Sequence, residues 1–340
     1  MTVVIFLFGA LALLAAILLF GFVGCGLSDV GTGPSDNYPE VITQTSGLIA
    51  YWRLGEPHST PVPSSGGAAK SQVGGYDGDY GVLAPVKTPD HQRFSDKTIG
   101  KINLGSPGLL QSQAITVTNT CVNFNGGFVQ VPFDDHLNPG QFTLEAWVFV
   151  PIVTGEYYRC LVESTGPQGL GPKSTGWGLY LGPKDNPPDP NNLVDAYWQV
   201  WMGDGTNFNR VAVANNPVKV PNLAYLVLTF DGKRLLLFVY YGGGQGVDSA
   251  DTLAARVNVA NFQRNDTSKA GQGDFFIGAG SNLVPSAGPA SQRLYPFEGQ
   301  IQEVALYNVS VVKGACQNQQ ALDCQGYMTL VNHVLSAGNA

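Results

Sequence analysis

The sequence predicts an all-β protein in which antiparallel strands form a sandwich. The 340 residues include 43 Gly, 22 Pro, 14 Tyr and 17 Phe, a composition that favours strands and turns over helical bundles. From about residue 46 to 308, short apolar runs alternate with turn residues, without helical stretches of 10–15 residues between them. Hydrophobic residues make up 44% of the chain, enough for a packed core.

Two segments predict the centre of this sandwich most clearly. Residues 142–150 are apolar on both faces, as expected of a central strand. Residues 224–230 and 234–241 flank Asp231-Gly232-Lys233, a strong signal for a β-hairpin. Residues 177–181 and 196–202 are two further predicted strands, which flank a Pro-rich loop.

The N-terminus predicts a membrane anchor. Residues 2–24 carry no charge and are long enough, as a helix, to cross a hydrocarbon core of about 30 Å. A basic n-region, which a cleaved secretory signal would have, is missing. A lipoprotein signal with lipidation at Cys25 is the main alternative. The division expected is an anchor over 1–25, a polar linker over 26–45, a sandwich over 46–315, and a tail over 316–340 with a short helix near 328–335.

The charge balance and the cysteines indicate which partners the protein has and on which side of the membrane its body lies. The net charge is −7 and no Lys/Arg cluster occurs, which argues against a nucleic-acid partner. Charged residues are only 13% of the chain, consistent with a surface covered by protein partners. Apart from Cys25 there are four cysteines, an even count that predicts two disulfides in an extracytoplasmic body (periplasmic, extracellular or on a virion); buried free thiols are the alternative. The expected pairs are Cys316–Cys324 and Cys121–Cys160.

Six segments together resemble the concanavalin A-like lectin/glucanase superfamily, in its laminin-G-like branch. Each segment alone is a weak signal, but their order and spread over about 46–310 match the family pattern. The segments are 50–56 (AYWRLGE), 76–80 (YDGDY), 122–132 (VNFNGGFVQVP), 137–148 (LNPGQFTLEAWV), 226–233 (LVLTFDGK) and 297–308 (FEGQIQEVALYN).

The resemblance implies a jelly-roll of two curved sheets, one convex and one concave. Two departures stand out. Tyr240-Tyr241-Gly242-Gly243 replaces the usual Asn-Gly turn, and Gln302 replaces the aspartate of the family's Ile-Asp-Glu. The second change removes a carboxylate that some members use, so it weakens the expectation of a metal site.

The strands offer no paired carboxylates for glycoside hydrolysis. A retaining mechanism needs two carboxyl groups about 5–5.5 Å apart. Glu145 stands alone in its strand, and simple alternation places Glu298 and Glu303 on opposite faces. The four histidines do not accompany a plausible Ser–Asp set, so a catalytic triad is not indicated. We therefore expect no enzyme activity.

The sequence predicts no cofactor, and a calcium ion is the alternative. Calcium needs several oxygen ligands close together. The densest acidic loops contain Asp134 with Asp135, and Asp185 with Asp189. Such residues equally suit solvated turns.

An aromatic patch is the strongest candidate for a ligand site. With a period of two, Tyr197, Gln199 and Trp201 share one strand face, and Tyr180 lies on the corresponding face of the preceding strand. If the two strands pair, these rings could receive the C–H face of a sugar, and Gln199 could hydrogen-bond to it. The alternative is an apolar face packed against another chain or loop.

Two functions follow from these observations. The first is a non-catalytic, membrane-tethered structural or accessory subunit of a larger assembly, favoured by the low charge and the predicted anchor. The second is a module that binds glycans or another surface ligand, favoured by the fold class.

Overall fold

The computed structural model describes residues 38–57, 67–82, 101–110, 119–151, 158–166, 175–184, 195–218, 220–242, 253–265, 273–280, 283–284, 292–293, 295–312 and 326–337. The predicted anchor over 1–25, Cys25, Asp185, Asp189, Cys316 and Cys324 lie outside these residues. Among the residues described, no helix has the length and apolar character needed to cross a membrane.

The larger of two main sheets has nine strands. Their bounds are β1 (Leu48–Trp52), β3 (Ser71–Val73), β5 (Lys101–Pro107), β6 (Thr120–Asn125), β8 (Phe142–Val150), β13 (Asn222–Phe230), β14 (Arg234–Gly242), β15 (Leu253–Asn258) and β19 (Glu298–Tyr307). The order is β15-β14-β13-β8-β19-β1-β3, and β6 joins β5 to β19.

The smaller sheet has eight strands. They are β2 (Ala68–Ala69), β4 (Gly78–Val82), β7 (Gly127–Val131), β9 (Arg159–Thr165), β10 (Gly176–Gly182), β11 (Tyr197–Gly203), β12 (Phe208–Val213) and β16 (Phe275–Ile277). Their order is β12-β11-β10-β9-β16-β7-β4-β2. A separate two-stranded ribbon joins β17 (Leu283–Val284) to β18 (Gln292–Arg293). The pairings between these strands are antiparallel, which confirms the predicted all-β sandwich of two antiparallel sheets.

Alternation along the central strand fills both sides of the larger sheet. In β8, Phe142, Leu144 and Ala146 belong to the core between the sheets, whereas Trp147 belongs to a second cluster on the outer face. This strand lies between β13 and β19 and is buried along nearly its whole length, as its two apolar faces predict. The predicted hairpin is also present: Phe230 pairs with Leu235 across the Asp231–Lys233 turn.

Two helices cover the outer face of the larger sheet. Helix α1 (Tyr38–Gln44) places Tyr38 and Ile42, one turn apart, fully buried in the outer cluster. Helix α2 (Tyr327–Ser336) contributes Leu330 and Val334 to the same cluster and confirms the predicted C-terminal helix. A polar linker was expected where α1 lies. The helix forms because this apolar sheet face buries the pair that one helical turn brings together.

Candidate functional site

The predicted aromatic residues do share one face of the smaller sheet. Tyr180 pairs directly with Gln199, Gly182 with Tyr197, and Gly178 with Trp201, so β10 and β11 are antiparallel neighbours in the expected register. The opposite face supplies the core between the sheets, with side chains that include Trp177, Leu179, Trp198 and Val200.

The exposure of these residues differs from the expectation. Tyr180 is 3% exposed, Tyr197 8% and Gln199 0%, and only Trp201 is half-buried. A bare outward patch made of these four side chains is therefore not present. The reason is tertiary: side chains from other parts of the chain pack over the same face.

Three further rings join this face, which we call the aromatic face and define by Tyr158, Tyr180, Trp201, Phe208 and Tyr295. Trp201 stacks on Phe208 with ring centroids 6.2 Å apart and meets Tyr158 edge-on at 5.7 Å. Tyr295 lies 5.8 Å from Tyr180 and 6.2 Å from Tyr158. Every ring except that of Tyr180 is half-buried, so the face presents four partly exposed rings.

Glycines let these rings lie against the sheet. A Cβ atom on Gly178 would come within 2.6 Å of the Tyr180 ring, and one on Gly182 within 2.4 Å of the Tyr158 ring. These two positions, opposite Trp201 and Tyr197, are the sequence signal that could have revealed the packing. Tyr158, Phe208 and Tyr295 were not predicted. Tyr158 and Tyr295 lie outside the segment that contains β10 and β11, so the strand pattern there gives no information about them.

Tyr295 adopts a strained backbone conformation at this face. Its φ angle is 61°, in the left-handed region, which costs a non-glycine residue about 1–2 kcal/mol. Its carbonyl accepts a hydrogen bond of 2.8 Å from the backbone N–H of Cys160. Such strain persists only where the surrounding structure enforces it, and it is concentrated at functional sites.

A fully buried carboxylate lies beneath the rings. Glu163 on β9 pairs with Gly178, which in turn pairs with Trp201, so all three positions share the face. Glu163 is 0% exposed and accepts hydrogen bonds from the hydroxyls of Tyr180 and Thr165. Burial, together with the charge of Glu163, raises the pKa of Tyr180 well above its ordinary value, so the phenol keeps its proton and remains a donor. Sequence reasoning missed Glu163 because no second acid accompanies it on its strand.

Polar groups at one end of the face remain partly unpaired. The Gln199 amide donates from Nε2 to the Pro183 carbonyl, which also accepts from Arg210 at 3.3 Å. Within the described part of the chain, Gln199 Oε1 and Trp201 Nε1 are buried without hydrogen-bond partners. The exposed Lys184 places its Nζ atom 5.6 Å from the centroid of the Tyr197 ring.

Cys121 and Cys160 do not form the predicted disulfide. Both are buried free thiols, and they lie in different sheets, Cys121 on β6 and Cys160 on β9. Cys121 Sγ donates to the Pro107 carbonyl at 3.0 Å, and Cys160 Sγ lies 3.7 Å from Glu163. Burial raises the pKa of Cys121 to about 12, so this thiol is protonated and unreactive.

The acidic loop at Asp134 acts as a turn. Asp134 Oδ1 accepts hydrogen bonds of 2.8 Å from the backbone N–H and from Nδ1 of His136, and so caps the 3-10 helix Asp135–Leu137. Among the residues that the structure describes, no group of three His, Cys, Asp or Glu side chains has the spacing of a metal site.

The substituted position Gln302 has a structural role. Its Oε1 accepts from the Leu109 backbone N–H, and its Nε2 donates to Asn119, both at 2.7 Å. A β-bulge follows it, and Glu303 (φ 58°) turns toward Tyr51 and Arg53 on the outer face of the larger sheet. Alternation across this bulge therefore does not predict the face on which Glu303 lies.

No protein-family model and no curated protein sequence matches this chain. Among solved structures, it is similar to domain 4 of AbnA, an extracellular GH43 arabinanase from Geobacillus stearothermophilus in complex with arabinotriose (TM-score 0.43, 12% identity, 77% of this chain and 93% of that one). It is also similar to Trypanosoma rangeli sialidase (TM-score 0.38, 16% identity, 82% and 32%) and to the CBM40 of Ruminococcus gnavus IT-sialidase (TM-score 0.31, 14% identity, 51% and 78%). With identities and TM-scores this low, the similarities carry no conclusion about ligand or activity.

Proposed function

We propose that this protein is a non-catalytic module that binds saccharides on the aromatic face of the smaller sheet. The observation that carries the proposal is the contiguous set of half-buried rings around Trp201, namely Tyr158, Phe208 and Tyr295. Ligand sites are typically lined by apolar and aromatic groups with a few polar groups that fix orientation.

The chemistry of this face suits a sugar ring. Flat aromatic rings pack against the C–H face of a pyranose, and ring hydroxyls need donors and acceptors at its edge. Arg210, opposite Trp201, and Lys184, beside Tyr197, supply donors at the rim. The strained backbone of Tyr295 fixes one ring of the site in advance, and such pre-organisation lowers the entropic cost of binding.

The other outer face of the sandwich does not offer a comparable surface. On the larger sheet, α1 and α2 cover the outer cluster, in which Trp147 and Tyr307 are fully buried. Of the two sheet faces that point away from the core, only that of the smaller sheet keeps a group of half-exposed rings in the described residues.

Glu163 supports a binding role for this face rather than a catalytic one. A glycosidase carboxylate must reach the scissile bond, and a retaining enzyme uses two carboxyl groups about 5–5.5 Å apart. Glu163 is fully buried and accepts the Tyr180 and Thr165 hydroxyls. In this proposal it anchors the ring of Tyr180 from below.

Saccharide binding by the full-length chain in detergent micelles tests the proposal, first on a glycan array and then by calorimetry on the best ligand. Phe208→Ala removes one half-buried ring at the edge of the face and should weaken binding about tenfold, or ~1.4 kcal/mol. Phe262→Ala is the matched control, because Phe262 is also half-buried but packs on Phe230 of the larger sheet. Equal binding by the two variants would contradict the proposal.

The alternative function is that of a structural or accessory subunit of a membrane-bound assembly, and the same experiment can reveal it. The same half-exposed rings would then lie against a protein neighbour. Failure to bind any glycan, together with a stoichiometric protein partner that Phe208→Ala releases and Phe262→Ala retains, would establish that function in place of saccharide binding.

A further inference from the structure

Two polar side chains on the aromatic face form a complementary donor and acceptor pair. Gln199 Oε1 is an acceptor and Trp201 Nε1 is a donor, and both atoms are buried without hydrogen-bond partners among the described residues. Buried polar groups in folded proteins nearly always have a partner, because leaving one unpaired is costly. Gln199 is also 0% exposed. Together the two atoms match a ligand group that carries one N–H donor and one carbonyl acceptor.

The orientation of the Gln199 amide is fixed by its other end. The Pro183 carbonyl can only accept, so the amide atom that contacts it is Nε2, and Oε1 is the atom that stays available. Trp177 and Trp198 also carry indole N–H groups without partners in the described part of the chain, but both rings belong to the core between the sheets. The pair on β11 therefore differs from these groups by lying on an outer face.

The spacing of the pair suits a single amide group. Gln199 and Trp201 lie two residues apart on one face of β11, so their Cα atoms are about 6–7 Å apart. A trans amide points its N–H and C=O groups in opposite directions, and its two hydrogen-bond partners lie about 7–8 Å apart. A single hydroxyl or water oxygen joins two partners that are only about 4.5–5 Å apart. An amide therefore fits this pair better than a hydroxyl group does.

Arg210 covers Gln199 with a side chain that can move. Arg210 pairs with Trp201 across β11 and β12, yet its guanidinium donates at 3.3 Å to the carbonyl of Pro183, which lies beyond the other side of β11. The side chain must therefore cross β11 near Gln199. Its contact with Pro183 is long for a hydrogen bond, and the side chain is half-buried. A ligand that displaces it reaches Gln199, and the guanidinium is then able to donate to sugar hydroxyls.

We infer that the aromatic face selects saccharides that carry an acetamido group, an inference that rests on the saccharide-binding function proposed above. The acetamido N–H donates to Gln199 Oε1, and the acetamido carbonyl accepts from Trp201 Nε1. The sugar ring packs against the half-buried Phe208, which stacks on Trp201. A saccharide with a hydroxyl group at the same carbon cannot satisfy both atoms, so it binds more weakly.

Matched saccharides test this selectivity on the full-length chain in detergent micelles. Chitotriose and cellotriose share one backbone and linkage and differ only in an acetamido group in place of a hydroxyl; N-acetylgalactosamine and galactose form a second pair. In at least one pair we expect the acetamido member to bind about tenfold more tightly, through two neutral hydrogen bonds. Equal binding within the pairs, or binding only of saccharides without an acetamido group, overturns the inference and leaves saccharide binding standing. No binding to any saccharide on the glycan array overturns both.

Trp201→Phe isolates the contribution of the indole N–H. The variant keeps an aromatic ring, and among the described residues Nε1 makes no hydrogen bond whose loss would affect folding. We expect its two dissociation constants within a pair to become nearly equal. Phe208→Ala is the matched control, because it removes a ring and neither polar atom; it should weaken both members by a similar factor and keep the preference. A preference that survives in Trp201→Phe would refute the inference.

Proton–nitrogen NMR of the indole groups gives a direct readout of the contact. The chain has 5 Trp residues, and the Trp201 signal is identified by its loss in Trp201→Phe. Trp52 Nε1 already donates to the Tyr76 carbonyl at 2.7 Å and serves as the internal control. A saturating acetamido saccharide should move the Trp201 indole proton downfield and leave that of Trp52 in place. Binding without a shift of the Trp201 signal would show that its N–H does not hold the acetamido group.

Discussion

Buried glutamates with phenolic donors recur on both outer faces of the sandwich. Glu145, Glu163 and Glu303 are each 0% exposed, and each accepts a hydrogen bond from at least one tyrosine hydroxyl. Burying an ionised carboxylate is costly unless its oxygens are paired, and charge-assisted hydrogen bonds are about twice as strong as neutral ones. The tyrosines are therefore needed for these carboxylates to remain inside.

Tyr180→Phe should destabilise the protein although it removes only one oxygen. The change leaves Glu163 without one of its donors, and a hydrogen bond to a charged group contributes about 1.5–3 kcal/mol. Urea denaturation should show a loss in that range. Tyr76→Phe is the control, since the described residues offer its hydroxyl no hydrogen bond; a loss as small as that of the control would indicate that Tyr180 does not hold Glu163.

Glu145→Gln should change how the free energy of unfolding depends on pH under acidic conditions. Because the pKa of Glu145 is lowered in the folded protein, its stabilising contribution is present above about pH 4.5 and is lost as the pH falls through the folded value. At pH 7 the variant should unfold more easily by about 1.5–3 kcal/mol, because Tyr225, Tyr307 and His333 then bond to a neutral amide instead of a charged carboxylate. Urea titrations at pH 7 and pH 3 should show the difference from wild type shrinking with acid, while the exposed Glu40→Gln shows no such trend.

At the scale of elements, the antiparallel pair of β10 and β11 sets the position of the aromatic face. Gly176, at the start of β10, has φ +90° and approaches the Ser164 carbonyl oxygen so closely that an added Cβ would lie 2.0 Å from it. Its backbone N–H also donates to the Gln263 carbonyl at 2.8 Å. Only glycine combines this positive φ angle with so close an approach to the Ser164 carbonyl, at the point where β10 pairs with β9.

Gly176→Ala should therefore cost more than backbone strain alone. Gly75 is the matched control, because its φ is +71° and a Cβ atom added there would have nothing within 4 Å. We expect Gly75→Ala to cost about 1 kcal/mol and Gly176→Ala about 1–3 kcal/mol more, through the clash with β9. Equal thermal midpoints for the two variants would argue that β9 moves freely away from β10.

At the scale of the whole molecule, the two outer faces of the sandwich differ in how far they are covered. The larger sheet is closed by α1 and α2 around Trp147, while the smaller sheet keeps half-exposed rings around Trp201. Because of this asymmetry, we propose that ligand binding occurs on the smaller sheet. It results from packing between distant segments, because α1 and α2 lie at opposite ends of the sequence.

Membrane attachment through residues 1–25 is a proposal at the same scale. The motivation is the uncharged run over 2–24, which is long enough to span a bilayer. We expect the full chain to remain with membranes after an alkaline carbonate wash and a chain lacking residues 1–25 to be released. Intact mass then separates a retained helix from a lipid on Cys25; release of the full chain by the wash, without processing, would refute the anchor.

Local signals in the chain were sufficient to predict strands β8, β10, β11, β13 and β14, the Asp231–Lys233 hairpin and the face shared by Tyr180, Gln199 and Trp201. Period-two alternation and turn residues depend on only a few neighbouring positions, so the local structure that they predict is retained in the folded protein. Three features came only from the packing of distant segments: Tyr158 and Tyr295 cover that face, Cys121 and Cys160 lie in separate sheets, and His333 meets Glu145. These contacts join residues far apart in the chain, and local periodicity carries no information about which distant side chains share one volume.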